Sequence, residues 1–395
     1  MTTQSEIILG IDLGTTYSTA AAVINGQMHL AVDGRGEACI PSVVHFPKSG
    51  APLVGVEAEK QRSLDPQNTV FGIKRLIGRG ADSPTARVLD ASAAFKIKPQ
   101  PKGEAAVQVR TGTFAASEIA AMILRHLRER AEARFQRKIG KAVLTVPVLA
   151  TPEVKAAMTR CGKMAGLEVL DIISEPVAGS IARGFGGPHW GEHPFLVYDF
   201  GGGTFDASVV QRAGEALQVL ASGGDDCLGG DDFDLGFARW IADVVVRSHK
   251  VNVKNDIVLW DRVQRQCEQV RRALSAGESA RYVLRDAGER IGKLEFSVAR
   301  EDMRPLWAEL VQRSMEASQQ TVQESGVPLE ELGAVLLIGG TTYVAQVREA
   351  VAELGVQCAI EADPQTAVAR GAARVATQRS MIHRAVTKPD LPAMR

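Results

Sequence analysis

A chain of 395 residues is longer than one hydrophobic core usually supports, so two or more packed units are expected. Hydrophobic residues make up 45% and charged residues 23%, which suits a globular chain that buries a core. Forty-six basic residues offset forty-six acidic ones, which removes the long-range field that draws a protein to nucleic acid or an acidic membrane. No apolar run reaches the roughly 18–20 residues that span a bilayer, and the polar start Met1–Glu6 is no signal peptide. Cys39, Cys161, Cys227, Cys267 and Cys358 are odd in number and form no Cys-x-x-Cys pair, the usage of reduced thiols. A soluble, cytoplasmic protein with neither a nucleic-acid nor a membrane partner is the expectation.

Strand and helix patterns alternate along the whole chain, which predicts an α/β architecture. Ile7 to Asp12 is a short apolar run ending at a carboxylate and a glycine, and Tyr17 to Ile24 follows as a second strand. Asn25-Gly26 is a hairpin turn signal. Apolar residues at helical spacing predict a helix over Ser117 to Arg137, and a strand then ends at Thr145-Val146-Pro147. Thr151-Pro152-Glu153 reads as a helix start, closed by Gly166. Val335 to Ile338 is a further strand, running into Gly339-Gly340-Thr341-Thr342. From Ser380 onward periodicity fades, and a loose tail over 379–395 is expected.

The chain also echoes itself. Ile8-Leu-Gly-Ile-Asp12-Leu-Gly-Thr-Thr16 and Phe195-Leu-Val-Tyr-Asp199-Phe-Gly-Gly-Gly-Thr204 each place an aspartate at a strand end, before a glycine turn with threonine. Duplication is the economical reading, with the boundary in the Gly- and Pro-rich stretch 184–194 and units at 1–187 and 188–378. Phosphate chains are bound by backbone N–H groups, and glycine lets the main chain approach that closely. Gly14-Thr15-Thr16 and Gly201-Gly202-Gly203-Thr204 are therefore candidate phosphate clamps, although neither is a Gly-x-x-x-x-Gly-Lys-Ser/Thr loop. Asp12 and Asp199, at matching positions, are candidate ligands for a hydrated Mg²⁺, with Asp206 nearby on the following strand. Lys74, in a run with Arg75 and Arg79, reads by itself as a solvated basic face. Glu175-Pro176 reads as a helix start and Glu268 to Ser275 as an amphipathic helix.

Seven segments together resemble the 70-kDa heat-shock chaperone family. They are Ile11-Asp12-Leu-Gly-Thr-Thr-Tyr17-Ser18, Asn68-Thr-Val-Phe-Gly-Ile-Lys74-Arg-Leu-Ile-Gly-Arg79, Glu175-Pro-Val-Ala178 and Asp199-Phe-Gly-Gly-Gly-Thr-Phe-Asp206 in the first half of the match. Leu228-Gly-Gly-Asp-Asp-Phe-Asp234, Cys267-Glu-Gln-Val-Arg-Arg-Ala-Leu-Ser275 and Ile338-Gly-Gly-Thr-Thr342 continue it in order, over roughly residues 6 to 378.

The resemblance implies two related actin-like lobes of ribonuclease-H-like fold around a nucleotide cleft, binding ATP or ADP with Mg²⁺ and with K⁺ as a further ion. It implies that Lys74 meets the γ-phosphate and the attacking water. Glu175 and Asp199 would orient that water and the metal shell, and Asp206 would stand outside them. Thr15 and Thr204 would lie beside the phosphates. Glu268, Arg271, Arg272 and Ser275 would line the adenosine side, with Gly339, Gly340 and Thr341 opposite. Tyr17 and Gly230 complete the expected nucleotide-binding set.

Several positions depart from the family pattern. Tyr343 stands where the family has an arginine over the adenine, Arg271 where it has a lysine, and Gln365 where it has an acid. Asp171 replaces an arginine that docks J-domain co-chaperones, so weak or altered docking is expected. Thr151-Pro152 and Lys155 replace an Asn-Asp pair and an arginine linked to Pro147. An ATPase switch of chaperone type, read by a nucleotide exchange factor or another protein, is the leading expectation. An actin-like polymerising ATPase, a non-hydrolysing nucleotide-binding scaffold and a small-molecule kinase are the rivals. The family's peptide-binding domain is not expected within this stretch, because fewer than twenty residues follow Ala376.

Overall fold

A computed structural model describes residues 6–100, 103–184, 193–214, 216–360 and 363–387. The expected boundary between 187 and 188, the first five residues and the last eight lie outside these.

Two five-stranded arrangements dominate. The first comprises β1 (Ile8–Leu13), β2 (Tyr17–Ile24), β3 (Gln27–Leu30), β4 (Lys141–Val146) and β5 (Glu168–Ser174), in the order β5-β4-β1-β2-β3, with the short strand Ile40–Pro41 also pairing to β2. The second comprises β6 (Phe195–Phe200), β7 (Phe205–Ala213), β8 (Ala216–Asp225), β9 (Ala334–Ile338) and β10 (Cys358–Ile360), in the order β8-β7-β6-β9-β10. Orientation repeats as well as order. The central strand of each sheet pairs antiparallel with the strand that follows it and parallel with its other neighbour. Even the register repeats, for Asp12 lies opposite Thr19 as Asp199 lies opposite Asp206. The echo in the sequence is thus an echo of topology.

Seven helices cover these sheets: α1 (Ala116–Phe135), α2 (Pro152–Met164), α3 (Glu175–Arg183), α4 (Gly230–His249), α5 (Ile257–Ala276), α6 (Arg300–Ser325) and α7 (Ala367–Thr387). Side chains alternate across each strand, so each sheet has two apolar faces to bury. Leu9, Ile11 and Leu144 face α1 and α2, whereas Ile8, Ala21 and Val143 face α7. Leu196, Tyr198 and Leu337 face α4, α5 and α6, whereas Phe195, Val197 and Leu336 face α3 and the start of α7. Each of the two inner helices therefore crosses over. The first follows a strand of one sheet and packs on the other, and α7 does the reverse.

They meet at a close crossing. A Cβ on Gly371 would come within 1.7 Å of the Ala178 carbonyl, and one on Gly10 within 2.0 Å of the Ala373 nitrogen. Only glycine fits there, and helix, helix and strand are held at backbone contact. A division at residue 188 therefore separates α7 from the sheet on which most of it packs. The stretch over 379–395 expected to be loose is helical as far as the described residues reach. With neither Pro nor Gly between Ser380 and Thr387, nothing breaks the backbone ladder before Pro389, and α7 continues to Thr387. Thr151 caps α2 by accepting from the Val154 amide (3.4 Å), with Pro152 in the first turn, as its residue types predict. Among the described residues no helix is long and apolar enough to cross a membrane.

Candidate functional site

A cavity of about 430 Å³ opens between the two sheets, where the ends of β1 and β6 face each other. Of the residues expected at a nucleotide site, Asp12, Gly14, Thr15, Thr16, Tyr17, Lys74, Glu175, Asp199, Gly201, Gly202, Gly203 and Thr204 line it. So do Glu268, Arg271, Arg272, Ser275, Gly339, Gly340, Thr341 and Tyr343. Asp206 and Gly230 do not. Asp206 stands one strand back, beside Asp199, and Gly230 begins α4 behind the Gly201–Gly203 turn.

Both glycine turns are held by their carbonyls. Gly201 O accepts from the Gly230 amide (3.1 Å) and from Thr341 Oγ1 (2.8 Å), and Gly202 O accepts from the Asp231 amide (2.7 Å). Gly203 O accepts from the Arg75 guanidinium (2.6 Å). On the other side Ser42 donates through Oγ to Gly14 O and through its amide to Thr16 O, both at 2.8 Å. In a trans peptide the C=O and the next N–H point in opposite directions, so carbonyls tied back leave amides facing forward. The two turns line opposite sides of the cavity, the Gly201 amide being taken by Thr204 O (3.0 Å), and a glycine turn of this kind is the backbone arrangement that binds phosphate. Thr16 Oγ1 is shielded against Gly202 and has no hydrogen-bond partner among the described residues.

The floor is acidic around one cation. Lys74 Nζ donates to Glu175 Oε1 at 2.6 Å, joining the 3₁₀ turn Ile73–Leu76 to the first residue of α3. Burial works against the Lys74 ammonium, but Glu175 and Asp12 outweigh it and hold its pKa above the ordinary lysine value. Burial pushes Asp12 up to about 6, with Lys74 opposing and Glu175 adding, and Thr145 Oγ1 donates to Asp12 Oδ1 at 3.3 Å. Asp199 lies well above the usual carboxylate range, through burial and then the charges of Glu175, Asp206 and Asp12. Asp206 is raised to about 7, again by burial first and Glu175 second. Crowding four carboxylates around one ammonium leaves an electrostatic deficit that a divalent cation would fill. Asp12 and Asp199 supply the hard oxygen donors that Mg²⁺ takes. Among the described residues no three His, Cys, Asp or Glu side chains form a metal cage, so the remaining ligands would be water or phosphate.

The opposite wall is built differently. Tyr17 donates to Glu268 Oε1 (2.8 Å), which also pairs with Arg272 (3.1 Å), and the Arg272 guanidinium lies 4.7 Å from the Tyr17 ring centre. Arg271 is buried and bidentate to Asp234, at 2.8 and 2.9 Å, so its charge is spent on joining α5 to α4. Tyr343 is half-buried, with the Arg348 guanidinium 5.4 Å from its ring centre. Further out, Asp261 of α5 accepts from Ser63 (2.6 Å) and pairs with Arg62 (3.0 Å), joining the two halves above the cavity.

The run Lys74, Arg75, Arg79 is not a solvated face. Lys74 reaches Glu175, Arg75 reaches Gly203, and Arg79 reaches Thr85 (3.1 Å) and approaches Asp226 (3.9 Å). Asp231 also lines the cavity, between the charges of Arg75 and Arg62, with burial raising it to about 7. Its signal was present as an acid in the first turn of a helix behind two glycines, but only the fold brings Arg62 and Arg75 to it.

A sequence profile described as Hsp70 protein matches residues 8–384. A protein named "Chaperone protein HscA homolog" from Acidovorax ebreus (strain TPSY) is 36% identical over 377 residues, covering 95% of this chain and 59% of the relative. One of the same name from Delftia acidovorans (strain DSM 14801 / SPH-1) is 36% identical over 383 residues, with the same shares covered. The chain thus spans about three-fifths of the length of the curated relatives it matches.

Proposed function

The chain belongs to the Hsp70 protein family, and on that premise we propose that it binds ATP and ADP with Mg²⁺ in the cavity, hydrolyses ATP, and couples the nucleotide state to the arrangement of its two halves. The observation that carries this reading is the Lys74–Glu175 pair, set at 2.6 Å on the floor of a cavity lined by both glycine turns.

Each residue has a part in that reaction. The amides of the Gly14–Thr16 turn and those of Gly202, Gly203 and Thr204 hold the phosphate chain in line, which supplies the positioning on which phosphoryl transfer depends. Lys74 neutralises charge growing on the terminal phosphoryl group, at no reorganisation cost because Glu175 has already fixed its ammonium. Glu175 and Asp199 orient the attacking water through their carboxylate oxygens. Asp12 and Asp199 would hold Mg²⁺, which supplies charge neutralisation between the phosphates. Tyr17, Glu268, Arg272, Ser275 and Tyr343 wall the nucleoside side, with Gly339, Gly340 and Thr341 opposite.

In this reading residues up to α3 form one lobe, β6 to β10 form the other, and the α3–α7 crossing is their pivot. A nucleotide exchange factor, or another protein reading the cleft, is the proposed partner. Docking of J-domain proteins is altered, because Asp171 sits on the edge strand β5 just past a bulge and presents an acid where an acidic partner would arrive. Isothermal calorimetry with ATP and ADP tests the core of the proposal. Binding that requires Mg²⁺, together with phosphate release, supports it; no binding in the presence of Mg²⁺ refutes it. Binding without turnover would leave a nucleotide-reading scaffold.

A further inference from the structure

The carbonyls of Gly201, Gly202 and Gly203 are each held by a hydrogen bond, but the groups that hold them come from different places. Gly230, Asp231 and Thr341 belong to the same half of the molecule as the turn itself, so those bonds survive any movement between the halves. The third bond does not share that property. Arg75 belongs to the turn Ile73–Leu76, on the far side of the cleft and one residue from Lys74. Its guanidinium reaches across to Gly203 O at 2.6 Å. Its own carbonyl is fixed by Thr85 Oγ1 (3.0 Å), which Arg79 also holds (3.1 Å), so the arginine reaches out from a braced base.

The space is shaped for this contact. A Cβ on Gly203 would lie 2.7 Å from the Arg75 guanidinium nitrogen and 2.8 Å from Thr15 Cγ2. With no side chain there, the Gly203–Thr204 peptide plane can rotate at low cost, and among the described residues of its own half no hydrogen bond pins the carbonyl. Since no peptide bond in the described chain is cis, the direction of Gly203 O sets the direction of the Thr204 N–H.

We propose that Arg75 is a positioning residue that aims the Thr204 amide into the phosphate site only while the cleft is closed. Closure brings the arginine onto Gly203 O, the peptide turns its N–H toward the cavity, and Lys74 arrives on the same turn. Opening withdraws both together. Cleavage is thereby confined to the closed cleft, whereas nucleotide is held in either state by the amides that the other half fixes. This rests on the ATP-hydrolysing reading above.

The test uses the whole chain with Arg75→Ala and Arg75→Lys, and with Arg75→Gln if the alanine variant does not fold. Single-turnover cleavage at saturating Mg-ATP is expected to fall on the order of 10- to 100-fold in Arg75→Ala, the usual cost of a small misplacement. The ATP dissociation constant should change less than about fivefold, because the remaining amides stay in place. Arg75→Lys, which keeps a donor, should recover most of the rate. The amide resonance of Thr204, in threonine-labelled and nucleotide-free protein, should move in Arg75→Ala and return toward the wild-type position in Arg75→Lys. A merely structural role would lower thermal stability and leave that resonance in place. Cleavage within twofold of wild type, an unmoved Thr204 amide, or equal losses in rate and affinity would each overturn the assignment. If the wild-type chain binds no nucleotide, the ATP reading fails on its own, and the Thr204 resonance in the nucleotide-free protein still decides the role of Arg75.

Discussion

Replacing Lys74 by alanine tests the floor of the cavity most directly. The side chains of Lys74 and Glu175 are 13% and 9% exposed and meet at 2.6 Å. A unit-charge pair at that distance is worth about 6 kcal/mol at an effective dielectric of 20, before both partners' desolvation is charged against it. Removing one member of a buried pair typically costs about 3–5 kcal/mol, because the other is left uncompensated. Here the orphaned Glu175 opens onto a cavity that water can enter, so a loss of about 2 kcal/mol is the expected outcome. The same change should slow single-turnover cleavage by about 10²–10³, the cost of one preorganised charge, while ATP stays bound through the two turns. The double variant Lys74→Ala/Glu175→Gln separates these effects. Neutralising Glu175 should restore part of the stability, read by urea unfolding, and none of the rate, read by rapid quench. Wild-type cleavage in Lys74→Ala would refute the assigned role, and a double variant no more stable than the single one would refute the electrostatic reasoning.

Asp12, raised to about 6, and Asp206, raised to about 7, take up protons as pH falls from neutrality toward about 5.5 in the nucleotide-free protein, and a cation must displace them. Mg-ADP affinity should therefore rise as pH climbs from about 5.5 to 7.5, with proton release that Asp206→Asn reduces; calorimetry in buffers of different ionisation enthalpy measures it, and a pH-independent affinity beyond the titration of free ADP would contradict the account. Asp171→Arg should strengthen stimulation of the ATPase by a standard J-domain protein, read in steady-state phosphate release, because it removes a like charge from the contact; strong stimulation of the wild-type chain, unchanged by the substitution, would count against this.

Much of this protein was legible as local chemistry. Strand-ending Asp12 and Asp199, the turns behind them and the Thr151 cap are written in short stretches of residues whose backbone preferences need no distant partner. The echo between the two aspartates predicted a duplication, and the two sheets repeat it strand for strand because pattern, order and register are all carried along the chain. What periodicity could not reveal lies in contacts between residues far apart in sequence. The basic run at Lys74, Arg75 and Arg79 carries no mark of burial, and its partners Glu175, Gly203 and Asp226 come from more than one hundred residues away. Helix α7 follows the last strand of one sheet yet buries its alanines on the other, and no local preference chooses between two apolar faces of similar composition. Sequence determined which segments become strands, turns and helices; the packing of α3 against α7 at Ala178 and Gly371 decided how two such halves face each other, and so where a lysine meets four carboxylates.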